Sequence, residues 1–257
     1  IFTEYADCPI IVQPNAGLPR IEGDTAIYDI TPSEFVKPIM EMADMGVTIF
    51  GGCCGTDPEF IREIRKNIVN RNPVKRNIKA VTAAASGRQT VILDNRTTVI
   101  GERINPTGKK KLKEALREQR IDYIIGEALD QTQAGADILD INVGLPEIDE
   151  TKTIQRVIKE VQAVTSLPLQ IDSSDAKAIE AGARIYNGRP IINSVNGKSE
   201  VMDLIFPIAK KYGALVVGLT LDENGIPNTA EGRFEIAERI IKRAAEYGIK
   251  KEDILID

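Results

Sequence analysis

The sequence predicts an α/β protein assembled from repeated strand–helix units in two segments, and three observations carry that expectation. Short apolar runs suited to strands recur along the chain, stretches with helical period fall between them, and the strands read as apolar on both faces rather than alternating. Strands of that kind belong to parallel sheets covered by helices, either doubly wound or closed as an eight-stranded barrel. Periodicity alone does not choose between the two.

In the first segment a short strand from Cys8 to Val12 runs into Gln13-Pro14-Asn15-Ala16-Gly17-Leu18-Pro19, whose Pro, Asn and Gly predict a loop. Thr31-Pro32-Ser33-Glu34 reads as a capping box, and Phe35, Ile39, Met42 and Ala43 share one apolar helix face that Gly46 closes. A buried strand over Val47 to Phe50 leads into Gly51-Gly52-Cys53-Cys54-Gly55. A second capping box, Thr56-Asp57-Pro58-Glu59, opens a helix to about Val69. Between Arg71 and Ala85 the periodicity lapses, which predicts a linker and a domain boundary. Thr90 to Leu93 and Thr98 to Ile100 are expected to pair as a hairpin turning at Asp94-Asn95-Arg96-Thr97.

From Val99 onward the alternation becomes regular. Strands are expected at Val99-Ile100, Ile138 to Ile141, Leu167 to Ile171, Ile191-Ile192, Leu215 to Leu219 and Ile254 to Ile256. The helices between them keep the proper spacing, as in Ile154, Val157, Ile158, Val161 and Val164, or Phe234, Ala237, Ile240, Ile241 and Ala244. Pro207 falls inside one helix and is expected to kink it.

Composition removes several function classes. The 257 residues suffice for one large domain or two ordinary ones, and no apolar run approaches the roughly 20 residues that cross a bilayer. A net charge of −5 without a basic block gives no support to nucleic-acid binding. Three cysteines are too few for a disulfide framework, and the chain opens on no secretory signal, so a cytoplasmic setting is expected. Ile1 in place of a start Met reads as the interior of a longer polypeptide. The absence of His excludes Ser-His and Cys-His pairs, imidazole bases and every His metal ligand.

Chemistry must therefore come from other groups, and the second segment places them at successive strand ends. Glu102 and Asn105 follow the first strand, then come Asp140 and Asn142, Asp172, Asn193 and Asn196, Thr220 and Asp257. In a barrel such residues converge on one polar cup at the C-terminal face. The plainer alternative is that they cap helices and make turns. A ring of Asp and Asn without cations suits a neutral heterocycle rich in N–H donors, while a divalent cation is the competing ligand.

The motifs that carry a resemblance are Ile100-Gly101-Glu102-Arg103-Ile104-Asn105-Pro106-Thr107-Gly108, Leu139-Asp140-Ile141-Asn142-Val143-Gly144, Gln170-Ile171-Asp172-Ser173 and Ile192-Asn193-Ser194-Val195-Asn196. Together, and in this order over residues 99–257, they resemble the pterin-binding methyltransferase family. That family includes the folate domains of cobalamin-dependent methionine synthases, the methyltetrahydrofolate:corrinoid/iron-sulfur protein methyltransferases and, more distantly, the dihydropteroate synthases. The resemblance implies a (β/α)8 barrel, here ending after about six strands. Asp172, Asn193 and Asp257 are expected to hold the pterin ring, with Glu102, Asn105, Asp140 and Asn142 lining the same cup.

Residues 1–70 are similar to the C-terminal end of the homocysteine-binding barrel that precedes the folate domain in methionine synthases, with residues 71–97 as linker and hairpin. There the adjacent thiols, here Cys53 and Cys54, ligate zinc with a third, upstream Cys. The residue-level alternative is a buried, inert pair; Cys8 is expected in the core. The resemblance implies methyl transfer from methyltetrahydrofolate through cobalamin, held on another module of the same polypeptide, to homocysteine. It also implies that both sites need residues before Ile1 and after Asp257, so the isolated chain is expected to be inactive. A non-catalytic docking fragment is the alternative from a different class.

Overall fold

Residues 1–93 and 96–257 are described by a computed structural model, in which the chain divides into two units, residues 1–80 and residues 81–257. In the first unit, α1 (Phe2–Tyr5) precedes β1 (Ile11–Val12), the hairpin β2 (Arg20–Glu22) and β3 (Thr25–Ile27), α2 (Pro32–Asp44), β4 (Ile49–Phe50) and α3 (Pro58–Ile68). Strands β1 and β4 pair in parallel, Ile11 beside Ile49 and Val12 beside Phe50. Both are shorter than their apolar runs suggest.

Helix α2 starts on the expected capping box, with Thr31 and Glu34 exchanging hydrogen bonds. The second box is corrected: Asp57, not Thr56, caps α3 by accepting from the Glu59 and Phe60 amides, while Thr56 Oγ1 donates to the Cys53 carbonyl at 2.7 Å. A carboxylate nearer the helix start outcompetes the hydroxyl. Phe35, Val36 and Ile39 of α2 meet Phe60 and Ile64 of α3 around Ala16 to form a small core.

The second unit begins with β5 (Ala83–Ser86) and β6 (Thr90–Ile92), followed by β7 (Ile100–Ile104), α4 (Lys110–Arg117), α5 (Ile121–Gln133), β8 (Ile138–Asn142) and α6 (Glu150–Val164). It continues with β9 (Leu169–Asp172), α7 (Ala176–Ile185), β10 (Gly188–Arg189), β11 (Ile191–Asn196), α8 (Ser199–Tyr212), β12 (Leu215–Leu219), α9 (Ala230–Glu246) and β13 (Ile254–Ile256). Strands β7, β8, β9, β11, β12 and β13 form one sheet in that order, every neighbour parallel, as in a barrel interrupted after six strands. Outward residues such as Leu139, Ile171 and Val216 pack with the helices into one continuous core. Pro207 lies within the single span of α8.

The hairpin expectation is corrected. Strand β6 pairs antiparallel with β5, and β5 with β10, while Ile100 opens the first barrel strand. Asp94 and Asn95 of the expected turn lie outside the described residues. Ala83, Ala84 and Ala85 lack the β-branched signature of a strand, which hid β5 inside the apparent linker. Ala84 is fully buried, so only residues up to about Ala80 behave as an exposed connector. Ala84 and Val91 pack on Ile138, Ile191 and Leu215, the first inward residues of three strands, and so floor the sheet at its N-terminal edge. No helix of the described residues is long and apolar enough to cross a membrane.

Candidate functional site

Because side chains alternate along a strand, one parity of each barrel strand faces inward. At the bottom that parity is Ile138, Ile191 and Leu215; Asp140 follows Ile138 and pairs with Gln170, and the next paired row is Asn142, Asp172 and Asn193. On β8 and β11 the inward row thus changes from apolar floor to polar top within two residues, whereas on β12 it stays apolar through Val217.

Asp140 is 1% exposed and sits beside Gln170 in strand register. Gln170 Nε2 donates to its Oδ1 at 2.6 Å, while Asp140 Oδ2 and Gln170 Oε1 are buried without a partner. Burial pushes this carboxyl up to about 7, against the pull of the Gln170 and Asn193 amides and with the added repulsion of Asp172 and Glu102. Asp172 is raised above the usual carboxylate range by burial as well, opposed by the bond that Asn142 Nδ2 donates to its Oδ2 at 2.9 Å. Asn193 is paired in register with Asp172.

Other candidates divide between the two readings of the strand ends. Asn105 Oδ1 accepts from the Thr107 amide and Asn196 Oδ1 from the Lys198 amide, so both make local turns. Asn142 does both, accepting from the Gly144 amide at 2.8 Å while it holds Asp172. Thr220 ties the ends of two strands, its amide and hydroxyl each reaching the Asp257 carbonyl at 2.8 Å. Asp257 is exposed, and shares the inward parity of Leu255. Glu102 is exposed, and Lys109 Nζ approaches it at 3.3 Å, which corrects the expectation of a cup without cations.

A cleft of about 610 Å³ opens over the C-terminal ends of β8 and β9, between Thr107, Asn142, Gly144, Glu150 and Ser173. Glu150 and Ser173 are hydrogen-bonded to each other there. Neither was singled out in the sequence, nor was Gln170, although its place two residues before Asp172 puts it on the same inward row. Among the described residues no group of three His, Cys, Asp or Glu side chains is arranged to hold a metal ion.

In the first unit, Cys53 and Cys54 lie on the turn after β4 and are exposed, as is Cys8, so neither the pair nor Cys8 is core. The loop 13–17 cradles that turn: the Cys53 amide donates to the Pro14 carbonyl, the Ala16 amide to the Cys54 carbonyl, and the Cys54 amide to Asn15 Oδ1. Gly55 has φ +79°, and a Cβ there would meet the Tyr28 ring at 2.3 Å. The two Sγ atoms are 3.9 Å apart. Two thiolates on one tetrahedral zinc, each about 2.3 Å from it, stand about 3.8 Å apart, so the pair fits as two ligands of four.

Comparison with known proteins agrees with this division. Residues 101–257 match the family model of pterin binding enzymes, and residues 2–68 match that of homocysteine S-methyltransferases. Over 99% of its length the chain is similar to the methionine synthases of Mycobacterium tuberculosis (32% identical) and Mycobacterium leprae (33%), and spans 22% of the length of each. Among solved structures, dihydropteroate synthase of Xanthomonas albilineans superposes with a TM-score of 0.52 at 22% identity, over 68% of this chain and 64% of that one, a likeness of fold. The chain belongs to the pterin-binding enzyme family.

Proposed function

We propose that this chain forms part of a methyltransferase that moves the methyl group of 5-methyltetrahydrofolate, by way of cobalamin, to homocysteine, giving tetrahydrofolate and methionine. The observation that supports this most is the succession of a homocysteine S-methyltransferase match and a pterin-binding match within one chain, aligned with methionine synthases almost throughout. The alternative enzyme readings, a methyltetrahydrofolate:corrinoid/iron-sulfur protein methyltransferase or a dihydropteroate synthase-like enzyme, leave the cradled cysteine pair unexplained.

In this reading the pterin ring lies in the polar cup, edge-on to Asp172 and Asn193, with Asp257 and Asn142 beside it and Asn105 and Glu102 at the rim. A carboxylate accepts paired N–H donors and an amide matches a mixed donor–acceptor edge. Ring donors would favour the ionised form of Asp172 that burial disfavours in the free site. Breaking the N5–methyl bond leaves its electron pair on nitrogen, which must take up a proton or a hydrogen bond as the methyl departs. Asp140 holds a proton near neutral pH, so it is the group of the cup suited to that need. Cobalamin, bound on a separate module, supplies the methyl acceptor. Cys53 and Cys54 would hold zinc, which keeps a substrate thiol ionised.

Titration of methyltetrahydrofolate into the full-length protein tests the assignment. Loss of one charge-assisted hydrogen bond, roughly 1.5–3 kcal/mol, lowers affinity about 10- to 150-fold in Asp172→Asn, with a similar loss in Asn193→Ala. Binding within twofold of wild type in both variants overturns the pterin reading. For zinc, residues 1–257 offer two ligands, so they are expected to retain none after dialysis against a mild chelator. The full-length protein should hold one equivalent and lose it in Cys53→Ser; stoichiometric zinc on the isolated chain would sink this view.

A further inference from the structure

We infer that Gln170 is a positioning residue that confines the proton of the buried Asp140 carboxyl to Oδ2. The two side chains face each other from neighbouring strands, 1% and 6% exposed, joined by the 2.6 Å bond from Gln170 Nε2 to Asp140 Oδ1. The remaining oxygens, Asp140 Oδ2 and Gln170 Oε1, are both acceptors, both buried and both without a partner. An ionised Asp140 would leave two buried acceptors unserved, an arrangement native interiors avoid.

One proton on Asp140 removes the conflict, and the amide decides where it sits. Oδ1 already receives Nε2–H, so a second hydrogen there would crowd the bond. On Oδ2 the proton supplies the donor that the pocket lacks. Had the amide the opposite orientation, Oε1 would stand against Oδ1 and the proton would have to bridge that pair instead. The charged groups that face Asp140 act in the same direction. Asp172 on β9 and Glu102 on β7 both disfavour a further negative charge and Lys109 is tied to Glu102, while the uncharged Asn193 amide on β11 pulls the other way without making a hydrogen bond to Oδ2. The geometry stands without a ligand; its use, an acid with a fixed O–H direction beneath the pterin, rests on the proposed function.

Infrared difference spectroscopy of the ligand-free full-length protein reads the carboxyl directly. A protonated carboxyl C=O band that is present at pH 6 and missing in Asp140→Asn belongs to Asp140. In Gln170→Met, which keeps the side chain's length and removes both polar atoms, that band is expected to move to higher frequency as Oδ1 loses its donor. In Gln170→Glu the pair gains a donor only by holding a proton, so a protonated carboxyl should persist to higher pH than in wild type. An Asp140 band unmoved by Gln170→Met, or both carboxyls of Gln170→Glu ionised at pH 6, overturns the inference. If Gln170→Met does not fold, the Gln170→Glu result decides. Bands that move in a protein that fails to bind methyltetrahydrofolate would uphold the positioning role and reject the pterin reading; tight folate binding with unmoved bands would do the reverse.

Discussion

The two units handle their chemically interesting groups in opposite ways. In residues 81–257 the carboxyls lie inside a sheet whose outer face is packed by helices, and burial alters their proton affinity. In residues 1–80 the thiols stand exposed on a glycine turn, and the six-residue core lies between two helices. A sheet of six parallel strands can enclose polar groups because several strands contribute one each to a shared interior. A two-stranded pair has no interior to share, so its reactive groups are held by backbone hydrogen bonds from the neighbouring loop. A preformed site thus comes from the number of elements converging on it rather than from its residue types.

Replacing Asp140 tests burial itself. Asp140 has a folded value of about 7 against 3.8 for a free carboxyl, so the folded state binds its proton more tightly. That contribution is fully present below about pH 4 and is lost as pH rises to about 7, amounting to about 4 kcal/mol by linkage. Asp172, also raised, acts with the same sign. Surface carboxylates lowered by cationic partners, such as Asp203 beside Arg243, act with the opposite sign, so the informative quantity is the difference between wild type and variant. Asp140→Asn mimics the protonated acid and donates where Oδ2–H would. Denaturant unfolding from pH 4.5 to 8 should show the variant gaining on wild type as pH rises; a constant difference would mean that Asp140 does not titrate in this range.

A smaller effect concerns the floor beneath those carboxyls. Gly188 has φ +152°, and a Cβ there would lie 2.1 Å from the Ala85 carbonyl oxygen, because β10 passes close against β5. Gly188→Ala combines an unfavourable backbone region with displacement of a strand, and should cost about 2–3 kcal/mol of stability. Chemical denaturation measures it. A loss under 0.5 kcal/mol, within the range of ordinary surface changes, would show that the hairpin is not held tightly under the sheet.

Much of this architecture could be read from residue order, for identifiable reasons. Five of the six barrel strands open on apolar runs and are separated by helices of clear period, so both cues agreed from Ile138 to Ile256, whereas β7 reads Ile-Gly-Glu-Arg-Ile. Strand β5 escaped because alanines carry no strand signature, and its pairing with β10 joins residues about a hundred positions apart. At the strand ends, Asp140 and Asp172 were visible as carboxylates closing apolar runs. What residue order could not supply was the sorting: Asn105 and Asn196 have the same local pattern as Asn142, and only the packing of neighbouring strands gives Asn142 a second partner. Gln170 carried a signal in its spacing from Asp172 that a search for carboxylates passes over.

The smallest effect asks whether the two units differ in robustness when the same chemical change is made in each. Thr31 Oγ1 accepts from the Glu34 amide at the start of α2, and Thr229 Oγ1 accepts from the Gly232 amide at the start of α9. Replacing either by Ala costs about 1 kcal/mol, since both are N-caps at exposed positions. The change in melting temperature should differ all the same. The unfolding entropy grows with the number of residues that unfold together, so a loss of about 1 kcal/mol lowers Tm by about 4–8 °C in a unit of 60–100 residues and about 2–4 °C in one of 150–250. Residues 1–80 and 81–257 fall in those two classes. Helix α2 also supplies Phe35, Val36 and Ile39, half of its unit's small core, whereas α9 is one of six helices around a large one. Hydrogen exchange of α2 and α9 amides with rising temperature follows each unit separately. Thr31→Ala should lower the midpoint for α2 by about twice as much as Thr229→Ala lowers that for α9. Equal shifts would mean that the chain unfolds as one cooperative body.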